Sequence, residues 1–243
     1  MSRGFGEVEL LQELLPGWAV AVAGALTQLG DSWFLLVLMA AVFVFAEEYR
    51  VDMVALLGVA SGAVGLYRGL KHLFALPRPA ISPLDTDGLH PVTEFILELT
   101  ATPVSYGFPS GHATGAAVVY LGLASILAVG SRRKRFAATA GVIALVATTR
   151  LVLGVHYLVD VVAGAALGAT FVALVLLVPR TFVPEYRVQI AYAVALPLSG
   201  FYILTSDASL ESLLLLGGTL AVLAGWKLLC SVSPWEQKLR STR

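Results

Sequence analysis

Two basic residues stand seven apart in Lys71-His-Leu-Phe-Ala-Leu-Pro-Arg78-Pro79, where the prolines end whatever helix carries Lys71. Further along, Phe108-Pro109-Ser110-Gly111-His112 opens an apolar run, and Thr149-Arg150 is followed by Gly154, His156 and Asp160. A helix N-terminus offers unpaired backbone N–H groups and the positive end of the helix dipole, so a helix opening at Ser110-Gly111 is a ready anion site. Ser110 suits the N-cap and can also donate to an anion's oxygen. Lys71, Arg78 and Arg150 add three cations. The i, i+4 spacing puts His156 and Asp160 on one helix face, where the carboxylate can hold one imidazole nitrogen as N–H and leave the other free to attack. Together these residues suit the binding of an anion and its attack by an imidazole.

Each piece alone has an ordinary explanation. Lys71 serves equally as a snorkelling anchor, Arg78 as a loop charge, Ser110 as a plain cap, and His112 or His156 as a satisfied polar group between helices. What decides is convergence, because three cations, two histidines and a carboxylate all fall at one end of the apolar runs that carry them.

Those runs define the scaffold. Hydrophobic residues make up 58% of the chain and charged residues 13%, against roughly a quarter charged in a soluble domain. Apolar segments near 15 to 30, 31 to 47, 52 to 75, 111 to 130, 135 to 153, 156 to 178, 188 to 205 and 210 to 230 approach the ~20 residues a membrane crossing needs. They lack the alternation of barrel strands, so the fold class is all-α: a polytopic transmembrane bundle of about eight helices. Gly58, Gly62, Gly65, Gly164 and Gly168 give small-residue spacings that suit generic close helix packing. The expected organisation is an N-terminal amphipathic segment over 1–14, a six-helix core over 15–178, and a C-terminal helix pair with tail over 179–243.

The connection 76 to 109 holds six prolines and is too polar for lipid. Within it Pro91 to Ala101 reads as a short surface helix, with Phe95, Ile96 and Leu99 opposite Glu94 and Glu98. Orientation follows from Lys and Arg, which favour short cytoplasmic loops. Arg132, Arg133, Lys134 and Arg135 form the densest group. Eight crossings then place both termini in the cytoplasm, with Arg68, Lys71, Arg78 and Arg150 on the outer face of an integral protein of the plasma membrane. The first sixteen residues lack the basic start and cleavage site of a signal peptide, so the N-terminus is expected to be retained.

Lys71-x6-Arg78-Pro79, Pro109-Ser110-Gly111-His112 and Thr149-Arg150-x5-His156-x3-Asp160 resemble the three signature motifs of the type 2 phosphatidic acid phosphatase family, also called the lipid phosphate phosphatase and vanadium haloperoxidase superfamily. The resemblance covers residues 52 to 178. It implies that Lys71, Arg78, Ser110, Gly111 and Arg150 cradle a phosphate, that His156 is the nucleophile oriented by Asp160, and that His112 protonates the leaving oxygen. The third motif usually opens with Ser where this chain has Thr149, which keeps the hydroxyl. The implied activity is hydrolysis of a membrane lipid phosphate or polyprenyl diphosphate through a phosphohistidine. No carboxylate cluster accompanies the site, so neither metal nor cofactor is expected, and protein cations stand where metal ions usually do.

Rival readings keep the scaffold and change the outcome: a lipid phosphotransferase, a sugar-phosphate phosphatase, or a non-catalytic phospholipid-binding or transport protein. The expected partners are a phosphorylated lipid and the surrounding membrane lipids. With 16 Lys and Arg against 16 Asp and Glu there is no basic excess for nucleic acid, and the lone Cys230 forms no internal disulfide. Arg68, one turn before Lys71, extends the basic patch. His72 and His90 have no role in this reading.

Overall fold

A computed structural model describes residues 3–79 and 106–232. Regular structure among them is entirely helical, as lipid demands of a chain that must satisfy its own backbone groups. The elements are α1 (Glu7–Leu14), α2 (Gly17–Leu26), a 3-10 turn (Thr27–Gly30), α3 (Ser32–Phe45), α4 (Arg50–Phe74), α5 (Gly111–Ile126), α6 (Arg132–Val152), α7 (Leu158–Val172), α8 (Arg187–Thr205) and α9 (Leu210–Val232). α7 runs on through a π-helical turn at Ala173–Leu177 to Phe182.

Five helical stretches are long and apolar enough to cross a membrane: Glu47–Phe74, Arg132–Val152, Leu158–Phe182, Pro184–Thr205 and Leu210–Ser231. α5 has only 16 residues but connects the end of the bundle that holds Lys71 to the end where α6 begins, so it crosses as well. Expectation and structure part at the N-terminal end. The segments expected as two separate crossings, 15 to 30 and 31 to 47, form a helix pair, Trp18–Gly30 and Ser32–Phe45, bent by 48° and long enough only together for a crossing. The reason is length, since the ten residues of α2 rise only about 15 Å, half the hydrocarbon thickness. With the bent pair and α5, the described residues offer seven candidate crossings. The first described residues lie at the same end of the bundle as Asp160, to which Arg3 donates, while α9 finishes at the opposite end. The helix expected at Pro91 to Ala101 lies outside the described residues.

α4 is the central post. Its Leu56, Val59 and Ala63 are buried in a core with Val119 of α5, Phe171 of α7, and Ala191 and Tyr192 of α8. Close approach depends on missing side chains. A Cβ at Gly65 would lie 2.6 Å from the Leu198 carbonyl oxygen, and one at Gly164 would lie 2.5 Å from that of Ser110. The second contact presses α7 against the start of α5, which brings two of the sequence motifs together. At the opposite end Asp52 pairs with Arg187 at 2.9 Å and with Arg180 at 3.4 Å, so its buried charge is compensated.

Candidate active site

Three helix ends build the site. α4 delivers Lys71 in its last turn, and the chain reverses at Ala75, in the left-handed conformation at φ 48°, to place Arg78 beneath the loop after α6. α5 starts with Ser110 as N-cap, its hydroxyl accepting from Ala113 N at 3.4 Å, as the motif's position before an apolar run predicts. α6 ends at Val152, and a turn with Gly154 at φ 67° carries the chain to His156 just ahead of α7. The backbone N–H of Ser110 donates to the Asp160 carbonyl at 2.9 Å, which ties the second motif to the third.

His156 and Asp160 do meet, though not as two residues of one helix. His156 precedes α7, which begins at Leu158, and Asp160 stands in the first turn, where its Oδ2 accepts from Tyr157 N at 3.0 Å. His156 Nδ1 lies 3.4 Å from the same Oδ2, and Nε2 lies 3.2 Å from Arg78 Nη1. A guanidinium only donates, so the pair of contacts assigns the proton to Nδ1 and turns the Nε2 lone pair toward Arg78 on the cavity side. Burial first, then the charges of Arg78, Arg150 and Lys71, hold the His156 pKa well below the usual histidine value. At neutral pH the ring is uncharged and nucleophilic.

The cations are held from behind by backbone oxygens. Lys71 Nζ donates to Tyr106 O at 2.6 Å and to Gly107 O at 3.3 Å, and Arg78 Nη1 donates to Val155 O at 2.8 Å. Arg150 is buried and donates to Thr27 Oγ1 at 2.9 Å. Thr149 keeps its hydroxyl for its own helix, donating to Val146 O at 2.7 Å, so the motif's first hydroxyl faces away from the cations.

Two carboxylate contacts were not read from the sequence. His112 Nε2 is 3.6 Å from Asp31 Oδ2, beyond a hydrogen bond but well inside ion-pair range, and it makes no hydrogen bond among the described residues. Asp31 stands at the 48° bend, where it caps α3 by accepting from Trp33 N. A carboxylate between two apolar runs was the available signal, because an acid at membrane depth needs a partner. Arg3 is the other: its Nη1 reaches Asp160 Oδ1 at 2.5 Å and its Nη2 reaches Pro77 O at 2.6 Å, while the guanidinium stacks over the Tyr157 ring at 5.1 Å. Nothing local marked it.

Lys71, Arg78, Gly111, His112, Arg150 and His156 line one cavity of about 820 Å³. Ser110 and Asp160 stand behind this lining, fully buried, the one as helix cap and the other as the support of His156. From the cations the cavity continues between Leu35 and Met39 of α3, Ala60 and Val64 of α4, and Leu214 and Val222 of α9. One end thus suits a phosphate and the other a hydrocarbon chain. The arrangement offers an imidazole nucleophile, a second imidazole beside a carboxylate, and cations for the charge of a transferring group.

Comparison with known proteins gives the family. The family model of the PAP2 superfamily matches residues 51–184. Phosphatidylglycerophosphatase B of Bacillus subtilis (strain 168) is 32% identical over 161 residues, which cover 62% of this chain and 70% of that protein. A crystal structure of a transmembrane PAP2 type phosphatidylglycerolphosphate phosphatase from Bacillus subtilis superposes with a TM-score of 0.57 at 27% identity, over 70% of this chain and 80% of that one. Aquifex aeolicus LpxE shares the fold with a TM-score of 0.52 at 22% identity, over 72% and 94% of the two chains. With its three motifs gathered on one cavity at the end of an all-helical membrane bundle, this chain belongs to the PAP2 superfamily and is a membrane phosphatase.

Proposed function

We propose that this phosphatase removes the terminal phosphate of a phosphorylated membrane lipid through a phosphohistidine on His156. The observation that carries the reading is the placement of His156: Nδ1 toward Asp160, Nε2 toward Arg78, in a cavity that leads from cations to apolar helix faces. Nε2 attacks phosphorus while the bond to the lipid-side oxygen breaks. Lys71, Arg78, Arg150 and the N–H of Gly111 at the start of α5 take up the charge of the equatorial oxygens, and His112 gives its proton to the departing oxygen. Asp31 holds the protonated His112 in place. Water, deprotonated by the now neutral His112, then attacks the phosphohistidine, releasing inorganic phosphate and free His156. Asp160 keeps the imidazole in the attacking tautomer throughout, and Arg3 keeps Asp160 oriented.

The similarity to a phosphatidylglycerophosphatase favours phosphatidylglycerol phosphate as the first lipid to test, beside phosphatidic acid and a polyprenyl diphosphate. Of the described basic residues, Arg50, Arg132, Arg133, Lys134, Arg135, Arg180, Arg187 and Lys227 belong to the end of the bundle away from the site, so the site faces outward across the plasma membrane. The decisive experiment is phosphate release by the purified protein from those lipids in detergent, with and without an added acceptor alcohol. Release that is independent of the alcohol and abolished by His156→Ala supports hydrolysis. Quantitative transfer to the alcohol assigns the chain to the phosphotransferases, and no turnover of any lipid removes the reading.

A further inference from the structure

Three cations serve the transferred phosphate, and a fourth lies just past them on the way to the apolar part of the cavity. Arg68 is one turn inward of Lys71 on α4 and lines the same cavity, followed toward the membrane centre on that face by Val64, Ala60 and Leu57. A lipid with its reacting phosphate at His156 and its tail along those residues must pass Arg68. Arg68 is engaged from the C-terminal helices: Nη1 contacts Glu211 Oε2 at the start of α9 and lies 3.3 Å from Tyr202 OH, which is itself 3.2 Å from Glu211 Oε2. Glu211 and Tyr202 also line the cavity, and both lie beyond residues 51–184 matched by the superfamily. The pair is partly open, with 36% of the Arg68 side chain and 65% of the Glu211 side chain exposed, so separating the two charges leaves neither stranded.

We propose that Arg68 is a subsite for a second, non-transferred phosphate on the tail side of the substrate, and that Glu211 holds this subsite when no such phosphate is present. The proposal rests on the lipid-phosphatase reading and sharpens its substrate class to lipids with two phosphates. A phosphate matches a guanidinium as a carboxylate does and can accept from it twice, so the incoming group replaces Glu211 without leaving a charge unpaired. Residues at i and i+3 of a helix have Cβ atoms about 5–6 Å apart, within reach of two phosphates in one headgroup. Phosphatidylglycerol phosphate places a phosphodiester there, a polyprenyl diphosphate places its inner phosphate there, and phosphatidic acid places nothing.

The test compares kcat/KM of wild type, Arg68→Gln, Arg68→Lys and Glu211→Gln on those three lipids in the same detergent. Arg68→Gln is expected to lower kcat/KM by about tenfold on the two-phosphate lipids and less than about twofold on phosphatidic acid, the difference being one charge-assisted contact. Arg68→Lys recovers part of the loss. Glu211→Gln, which removes the competitor, raises the preference for two-phosphate lipids by about threefold, and this variant decides the matter should Arg68→Gln fail to fold. A selective loss on the diphosphate alone, or on phosphatidylglycerol phosphate alone, identifies which spacing the subsite accepts. Equal losses on all three lipids, or an unchanged preference in Glu211→Gln, would overturn the subsite while leaving the function intact. A wild type that hydrolyses none of them overturns both.

Discussion

Arg3 Nη1 and Asp160 Oδ1 meet at 2.5 Å although 157 residues separate them in sequence. The contact joins the N-terminal segment to the proposed support of His156, because the other oxygen of Asp160 faces His156 Nδ1. Arg3→Gln should lower kcat/KM by about tenfold, as for the loss of one charge-assisted hydrogen bond. It should also move the acid limb of the pH profile upward, since His156 then faces a carboxylate no longer neutralised from behind. A purely structural Arg3 would lower activity without moving that limb, so a fixed limb removes the positioning role.

The pH profile of the unmodified enzyme carries its own prediction. Burial and the facing cations hold His156 well below the ordinary histidine pKa of ~6.5, so the attacking ring stays neutral into mild acid. The acid limb of kcat/KM should therefore fall below that value. Arg78→Gln removes the cation nearest Nε2 and should raise the limb toward it while lowering kcat. The stability sign follows from the same shift. Below ~6.5 the unfolded chain protonates this histidine while the folded chain does not, so the folded state loses stability as the pH falls. An acid limb at or above 6.5, unmoved by Arg78→Gln, contradicts a neutral His156 held by these groups.

The carboxylate beside His112 tests the acid. If Asp31 positions a protonated His112 for the leaving oxygen, Asp31→Asn should reproduce in weaker form the pattern of His112→Ala. That pattern is a loss of about 10²-fold or more on ordinary lipid phosphates and little loss on an activated phenyl phosphate, whose leaving group needs no proton. Equal losses on both substrates would mean that neither residue serves proton transfer.

Much of this site was legible because its chemistry falls where apolar runs stop. Lys71, Arg78, Ser110 and Arg150 mark helix ends by charge or by capping, and helix ends on one face converge once the crossings are counted. What the count did not show is the place of Asp31. Two apolar runs look like two spans, and only the 48° bend shows that α2 is too short to cross and that its polar break faces His112. Arg3 was beyond reach for a different reason. A basic residue near the N-terminus reads as a cytoplasmic anchor by the charge rule, and the long-range contact with Asp160 that overrides the rule leaves no local trace. Proximity of His156 and Asp160 was anticipated for a reason that proved inexact, since the turn at Gly154 and the N-terminal turn of α7 bring them together.

The bend at Asp31 gives a topology test, because a single bent crossing there makes the number of crossings odd and puts Phe5 on the side of the site. In a Cys230→Ser background, single cysteines replacing Phe5, which is 94% exposed, and Ala208, in the turn between α8 and α9, should both react from outside intact cells with an impermeant thiol reagent. A cysteine replacing Lys134, at the start of α6, should react only after lysis. Labelling at Ala208 but not at Phe5 would restore the even count and detach Arg3 from the site.

The chemistry of the phosphoryl group supplies the last prediction. A transferring phosphoryl group needs its equatorial oxygens neutralised, and Lys71, Arg78 and Arg150 stand around the cavity with the N-terminus of α5. The carboxylates at hand are committed: Asp160 to His156, Arg3 and Tyr157 N, Asp31 to His112 and Trp33 N, and Glu211 to Arg68 and Tyr202. Among the described residues no three His, Cys, Asp or Glu side chains are grouped to share an ion. Turnover in EDTA should therefore equal turnover in magnesium. Vanadate can take five ligands with an axial imidazole nitrogen, so it should occupy His156 Nε2 in a geometry close to the transition state and compete with substrate. Arg150→Ala should weaken vanadate inhibition and kcat/KM by similar factors, about 10²-fold each, because its contact strengthens as charge develops on the oxygens. If EDTA abolishes activity and magnesium restores it, the three cations are not the charge-neutralising groups and the mechanism assigned to them fails.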